Sequence, residues 1–342
     1  MAILFSKSSG VNDDLWNEWS KQLVAVMQDT DSEKNNYEEV LKSIFNIKKS
    51  NKFGEKTAGL TEFSDFEVVG EGADGVADEI SEGYAKLITH LSFIKTFMCT
   101  AEMAEDSQID VMKTKAANFI RSYKRSKLQF ATDSITSAAA TFTYGAKNGL
   151  DSATGDGQAL FSTAHPMFKH KDDRTFDQSN VFTNPLGTDA KMLNRLANIG
   201  RNFKNDSGIV MGYTFDTIII PGNCFEMEET IKRIIGSDGE VGTNNNDINT
   251  QRGKWKLVVN PLWQAAVGKN PYMIMSSEAN KELIGNAFYN RKELTMKDEV
   301  LTKSHNLLWS GRARWSCGYN NWRQIILGGA DEGTTLGTTA SE

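Results

Sequence analysis

Two histidines and two carboxylates fall close together in His165-Pro-Met-Phe-Lys-His170-Lys-Asp172-Asp173, and such donors could hold a divalent metal or move protons. A zinc site needs three or four ligands at helical or knuckle spacing, whereas a His-x4-His pair in a loop fixes no geometry. Ser162 stands just before His165 without the Gly-x-Ser-x-Gly turn that exposes a nucleophilic serine. Gly70 to Gly75 spells G-x-G-x-x-G after an apolar run, the glycine spacing of a dinucleotide-binding turn. Glu71 and Asp74 lie inside it, and Asp78, Glu79 and Glu82 follow, so a pyrophosphate would meet five carboxylates. A glycine-rich hairpin tip is the plainer reading. Cys317 and His305 as a nucleophile pair lack sequence context, and residues 243–247 lack the ligand alternation of a calcium loop. The catalytic alternative is therefore a metal-dependent enzyme using the His165 to Asp173 cluster, and no constellation completes an active site.

Two charge runs carry more information. Between residues 57 and 85 stand eight carboxylates (Glu62, Asp65, Glu67, Glu71, Asp74, Asp78, Glu79 and Glu82) and no base. Between 113 and 127 the sign reverses, with Lys113, Lys115, Arg121, Lys124, Arg125 and Lys127 and no acid. Two solvated faces would account for both runs. One surface built to meet the other, within a subunit or between copies, accounts for them too.

The chain that must position these groups has 342 residues, 39% hydrophobic and 24% charged, enough for two or three domains with a sizeable core. A net charge of −6 argues against a protein whose main task is gripping nucleic acid. Cys99, Cys224 and Cys317 are odd in number and far apart, so no disulfide framework is expected and a reducing cytoplasm is the default. The apolar run near the start, Ala2 to Phe5, is too short for a signal peptide, and no apolar run is long enough to span a bilayer. A soluble chain made in the cytoplasm is the expectation.

Neither glycine nor proline occurs between Tyr84 and Tyr144. Within that stretch Ile109, Met112, Ala116, Phe119, Ile120, Tyr123, Phe130, Ala131, Ile135, Ala138 and Phe142 recur at three- and four-residue steps, which predicts one helix over 104–144. At 1.5 Å per residue it would reach roughly 60 Å, longer than a compact globule of this size. Amphipathic helices are predicted over 12–28, with Trp16 and Trp19 on the apolar face, and over 32–49. Residues 63–69 and 87–99 read as the strands of a long hairpin. Further helices are expected over 190–203 and 225–235. Strands are expected over 215–220, 255–259, 272–275, 307–315 and 323–327, and the Gly/Thr-rich tail is expected to be mobile.

This order of elements resembles the major capsid proteins of tailed bacteriophages with the Hong-Kong-97-like fold. The resemblance rests on the glycine-tipped acidic hairpin, on Thr100-Ala-Glu-Met-Ala-Glu-Asp-Ser107 before a long helix, and on Asp156-Gly-Gln-Ala-Leu-Phe-Ser-Thr-Ala-His165. Phe215-Asp-Thr-Ile-Ile-Ile-Pro221, Lys256-Leu-Val-Val-Asn-Pro261 and the closing strand from Trp315 to Leu327 add to it. It covers the chain from about Gly54 to Gly329.

The resemblance implies an α+β capsid fold. Its parts would be an N-terminal arm (1–56), an extended hairpin loop (57–99) overlapping a neighbouring subunit, and a peripheral domain carrying the spine helix (100–189). An axial domain (190–280) would follow, then the return to the peripheral domain and a flexible tail (281–342). It further implies homo-hexamers and homo-pentamers forming an icosahedral head around double-stranded DNA, a virion location, and no catalysis, metal or cofactor. An encapsulin-type compartment protein shares the fold and is the nearer alternative. No lysine lies between residues 57 and 85, so no cross-link from the loop tip is expected. The chain starts close to its arm, which makes a separate scaffolding protein the expectation, beside a portal and decoration proteins. Candidate inter-subunit contacts are Glu71, Asp74, Asp78, Glu79, Trp16 and Trp19. Lys113, Arg121, Lys124, Arg125 and Lys127 would form a basic face towards DNA or a neighbour, with DNA the leading expectation.

Overall fold

The computed structural model describes residues 4–5, 14–60, 66, 68–72, 74, 82–106, 108–239, 248–266, 268–301, 303–333 and 336–339. In chain order the elements begin with β1 (Leu4–Phe5), α1 (Asp14–Ser32), α2 (Asn36–Ile44), β2 (Asn46–Lys49), β3 (Gly54–Leu60), β4 (Glu82–Thr89) and β5 (Leu91–Cys99). Then come α3 (Ala101–Glu105), α4 (Ile109–Ile135), β6 (Thr141–Tyr144), β7 (Lys147–Asp151), β8 (Val181–Phe182), α5 (Lys191–Arg201), β9 (Thr217–Pro221) and α6 (Phe225–Gly236). The chain closes with β10 (Lys256–Asn260), β11 (Trp263–Gln264), β12 (Tyr272–Met275), α7 (Ser277–Glu282), β13 (Asn286–Val300), β14 (Leu307–Tyr319), β15 (Ile325–Gly328) and β16 (Thr338–Thr339).

Two five-stranded sheets carry the molecule. The first is ordered β1-β13-β14-β5, with β2 also on β13. Its antiparallel core runs from Asn286↔Tyr319 to Val300↔Leu307 and from Leu307↔Cys99 to Trp315↔Leu91. Helix α4 packs on this sheet, and α1 and α2 pack on α4. Met112, Ala116, Phe119, Ile120 and Tyr123 of α4 are buried, which is the three- and four-residue stripe read from the sequence. Gly311 of β14 sits under Phe119, where a Cβ would come within 2.7 Å of the ring. That glycine sets how closely helix and sheet approach. The second sheet is ordered β10-β9-β12-β15-β8, and its strands Thr217–Pro221, Tyr272–Met275 and Ile325–Gly328 are buried throughout. Strands buried on both faces read as continuous apolar runs rather than alternations.

The sheet draws β8 and β15 from outside residues 190–280, so the expected axial segment is completed by strands from either side of it. The long helix is shorter than the sequence suggested: α4 ends at Ile135, ~40 Å from its start. The Ser137 hydroxyl donates to the carbonyls of Ala139 and Thr141, competing with the helix, and the β-branched Thr141-Phe-Thr-Tyr144 runs on as β6 against β7. Residues 104–105 belong to α3, which Thr100 caps through Met103 N. The second amphipathic segment is helical only to Ile44, after which β2 joins β13 in parallel. The outer strand of the hairpin is β3 at Gly54–Leu60, paired with β4, rather than 63–69; among the latter Phe66, Val68 and Val69 are exposed and outside any strand.

Strand β13 was not foreseen at all. Its polar sequence favours helix by composition, and register shifts at Asn290/Lys292 and Lys292/Thr295 break the alternation of its buried positions. The tail also differs from expectation: Leu336 is buried, its carbonyl accepts from Trp263 Nε1 at 3.0 Å, and β16 pairs with β11.

The hairpin β3–β4 leaves the sheet at His90, the residue between β4 and β5. This imidazole is buried, with Nε2 at 2.9 Å from Ser50 Oγ and Nδ1 at 2.8 Å from Ser316 Oγ. Ser50 Oγ donates to Glu55 Oε1 at 2.7 Å, so it accepts from His90 Nε2–H, and Nδ1 accepts from Ser316. The network fits a neutral ring. Burial pushes His90 below its ordinary value of 6.5; Glu55 opposes this, while Arg314 and Arg291 add to it. The unfolded chain therefore takes up a proton first as pH falls through 6.5, and folded stability declines from that point. Denaturant titrations between pH 6.5 and about 5 should show this decline in the wild type and a flatter curve in His90→Gln. Parallel curves would remove His90 as its source.

Candidate functional site

A groove runs between α4 and β5, the edge strand of the first sheet. One end is a cavity of about 730 Å³ floored by Phe93, Phe119, Tyr123 and Trp315 and walled by the β6–β7 turn at Tyr144 to Lys147. Phe93 stacks on Trp315 at 3.8 Å, with Tyr123 edge-on at 5.8 Å, so the floor is a rigid aromatic layer. The other end, about 640 Å³, shares Lys95, Phe119 and Ser122 with the first. Lys95, Lys115, Arg121 and Arg125 line it, and among the described residues no carboxylate does. The groove is thus apolar at one end and basic at the other.

Away from this groove the hairpin carries the opposite pattern. Phe66 and Val68 are fully exposed, at 107% and 103%, and Val69 is exposed beside them. Glu71 and Asp74 follow, both exposed. Asp78 and Glu79 lie outside the described residues. Gly70 and Gly72 sit at this exposed turn with open space around them, and residues 75 to 81, where a dinucleotide turn would open its helix, lie outside the described residues. The base of the hairpin is held by Lys86, a buried lysine whose Nζ donates to Asp151 Oδ1 at 2.9 Å and to the Ala153 carbonyl. Leu87 of β4 is exposed as well, and Ile94 and Met98 of β5 are exposed where they line the groove. Exposed apolar side chains close together in one short segment, as at Phe66, Val68 and Val69, mark interaction sites.

The basic face expected on α4 is corrected in two of its members. Lys124 and Lys127 are each 2% exposed. Lys124 Nζ donates to the carbonyls of Thr30, Asp31 and Glu33 at 3.2, 2.7 and 3.1 Å, with the Asp31 and Glu38 carboxylates at 4.0 and 3.9 Å. The last carbonyls of a helix lack internal partners and carry the negative end of its dipole, so this ammonium caps α1. Burial raises the Asp31 carboxyl, against the pull of Lys124. Lys127 Nζ lies 3.3 Å from Glu293 Oε2 and 4.5 Å from the centre of the Tyr123 ring, whose hydroxyl also donates to Glu293. Burial lowers the Lys127 amine, against Glu293, and raises Tyr123. The signal was present in the spacing: Ile120, Lys124, Lys127, Leu128 and Ala131 share one buried stripe. Arg121 and Arg125 remain in the groove, with Arg121 3.8 Å from Glu33, and Lys113 is half-buried on α4. Trp19 packs against the core from α1; the Trp16 side chain lies outside the described residues.

The proposed metal cluster does not converge. His165 is fully buried, bonded through Nδ1 to Asp156 Oδ2 at 2.8 Å and stacked on Trp322 at 4.3 Å. Burial alone would raise Asp156, yet the hydrogen bond and charge of His165, with Thr154 and the Gln158 amide, hold it below the usual range. His170 instead stacks on Phe176, and Asp173 caps the next turn through Thr175 N at 3.0 Å. Among the described residues no three His, Cys, Asp or Glu side chains are grouped to hold a metal. Cys317 is buried, and burial pushes its thiol up to about 12, which leaves it unreactive at neutral pH.

No protein-family model matches the chain, and no curated protein matches it either. Solved structures do. A chain from Mycobacterium phage Patience matches over 98% of this chain and 95% of its own, with a TM-score of 0.52 and 11% identity. A chain from the capsid of Myoviridae Phage XM1 matches over 84% and 90%, with a TM-score of 0.51 and 8% identity. A chain from Gordonia phage Cozz matches over 94% and 98%, with a TM-score of 0.50 and 9% identity. The chain has the mixed α+β fold found in phage capsids.

Because Lys124 is an internal clamp, Lys124→Ala should cost on the order of 3 kcal/mol, leaving the α1 carbonyls and two carboxylates without their cation. Chemical denaturation would measure the loss, and amide exchange should speed up at the end of α1. A variant as stable as the wild type would return Lys124 to an exposed role.

Proposed function

We propose that this chain, which carries the phage-capsid fold, is the major capsid protein of a tailed double-stranded DNA bacteriophage. Its copies close as hexamers and pentamers into an icosahedral head, so it is a component of the virion and its first partner is itself. Packaged DNA is the cargo, and a scaffolding protein and a portal are the assembly partners. The work is mechanical, the tiling of a wall.

The observation that carries this reading is that one chain holds both halves of a contact. The hairpin presents Phe66, Val68 and Val69 and then Glu71 and Asp74; the groove offers an aromatic floor and then a basic end. The α4 residues lining the basic and apolar ends, 115 to 126, span ~17 Å, about the reach of residues 66–71 in extended form. An exposed phenylalanine entering an aromatic pocket is the kind of anchor that dominates an interface, and the charges behind it fix register. Such a contact is heterologous, one patch on a different patch of the next copy, and it generates rings when the rotation closes.

Negative-stain microscopy and sedimentation of the purified chain should reveal rings, tubes or shells. Phe66→Asp with Val68→Asp should abolish particles while leaving the circular dichroism unchanged. Arg121→Glu with Arg125→Glu should do the same, and adding Glu71→Lys with Asp74→Lys should restore assembly at low salt. A wild-type chain that stays monomeric at high concentration would defeat the capsid reading. Assembly indifferent to all four sites would defeat the groove contact alone.

A further inference from the structure

On the reading of the chain as a shell subunit, we infer that a second basic site, a cavity of about 340 Å³ between α2, β2, β10 and α7, binds backbone phosphates of duplex DNA through Lys42, Lys256 and Lys281. Four segments far apart in the chain bring these side chains together. Lys42 and Ser43 come from the end of α2, Lys256 opens β10, and Ser277 and Lys281 stand on α7. Three ammonium groups line the cavity and, among the described residues, no carboxylate does.

Glu38 is 3.9 Å from Lys42, one helical turn back on α2, in a pair too exposed to neutralise the cavity. Lys256 Nζ donates to the neutral Ser43 hydroxyl at 3.0 Å, and Ser277 bonds to Asp216 Oδ1 at 3.0 Å. Three like charges gathered in one concavity repel each other, and the arrangement is relieved when an anion enters. In a chain of net charge −6 this local excess runs against the overall balance.

The chemistry favours nucleic acid over an acidic protein segment. Protein contacts are anchored by exposed aromatic or apolar side chains, as at the hairpin and the groove. Around this cavity the apolar members, Phe45, Ile47 and Met275, are not among the exposed hydrophobic residues. The exposed members of the lining are Lys42, Lys256 and Lys281. Lysine acts on phosphate as a point charge, which suits contact with DNA of any sequence. Strand β2 continues the basic character, with Lys48 and Lys49 directly after the lining residues Asn46 and Ile47. DNA contact thus falls to this surface rather than to the α4 lysines, two of which are internal.

The test uses the full chain below the concentration at which particles sediment, with a fluorescently labelled 30-base-pair duplex of random sequence and an anisotropy titration across salt. Lys42→Gln/Lys256→Gln/Lys281→Gln is compared with Lys191→Gln/Lys232→Gln/Lys269→Gln, which removes the same charge from exposed lysines elsewhere. The first variant should lose at least about tenfold in affinity near 0.1 M salt, and its plot of log affinity against log salt should flatten by roughly 0.9 for each phosphate that is no longer neutralised. The control should keep the wild-type slope. Equal binding by the two variants, no duplex binding by the wild type, or loss of particles with duplex binding intact would each overturn the phosphate site. A wild type that binds duplex through the three lysines yet never forms particles would keep the site and remove the shell reading, so the two failures are distinguishable.

Discussion

The packing of one 27-residue helix against the β14–β5 side of the first sheet is the constraint from which most of this molecule follows. Each large side chain buried in that seam, such as Phe119, Tyr123 and Phe130, contributes about 1.5–3 kcal/mol. Its depth is set by small residues as much as large ones, because Gly311 admits the Phe119 ring where any Cβ would displace it. Since β5 is the edge strand, the helix overhangs the sheet margin and leaves a groove with an aromatic floor. The functional surface is therefore a by-product of core packing. The Phe93–Trp315 stack belongs to both.

Polar groups then decide how the rest of the chain is attached to this seam. Helices α1 and α2 pack on α4 and bury Leu23, Met27, Val40, Leu41 and Ile44, and the ammonium of Lys124 adds a polar clamp aimed at the carbonyls where α1 ends. The hairpin base is fastened by Lys86, and its exit from the sheet by the neutral His90 between two serines. Each of these groups is buried and satisfied, which makes its geometry specific, since an unpaired buried charge or imidazole would cost several kcal/mol. The apolar tip of the hairpin stands beyond all three attachments and has no such partners among the described residues. A subunit that is rigid at its seam and open at its hairpin suits repeated copies meeting at one kind of contact.

Much of this was legible from residue order alone. The apolar periodicity of α4, the buried runs of β9, β12 and β15, and helices α5 and α6 lie where the sequence put them, within a few residues. What escaped was each segment whose local preference was overridden by its neighbours. Strand β13 is rich in lysine and glutamate and carries two register shifts, so neither composition nor alternation announced it. It is a strand because β14 and β2 flank it. The β6 residues looked helical by apolar spacing, yet Ser137 and two β-branched threonines end the helix before them.

Sequence by itself determined the acidic and basic runs and the apolar period of α4, because these depend on residue type and short-range spacing, and the α+β class followed from the family resemblance. Only the tertiary structure decided what the charges do. Six bases on one helix look alike in a sequence, but Lys124 meets carbonyls some 93 residues away and Lys127 meets a glutamate 166 residues away, so both are internal. Conversely Lys42, Lys256 and Lys281 are unremarked in three separate segments until folding brings them around one cavity. The same holds for His165, drawn away from His170 and Asp173 by Asp156 and Trp322. Charge becomes function only through burial and neighbourhood, and those are set by contacts too distant in the chain for local pattern to encode.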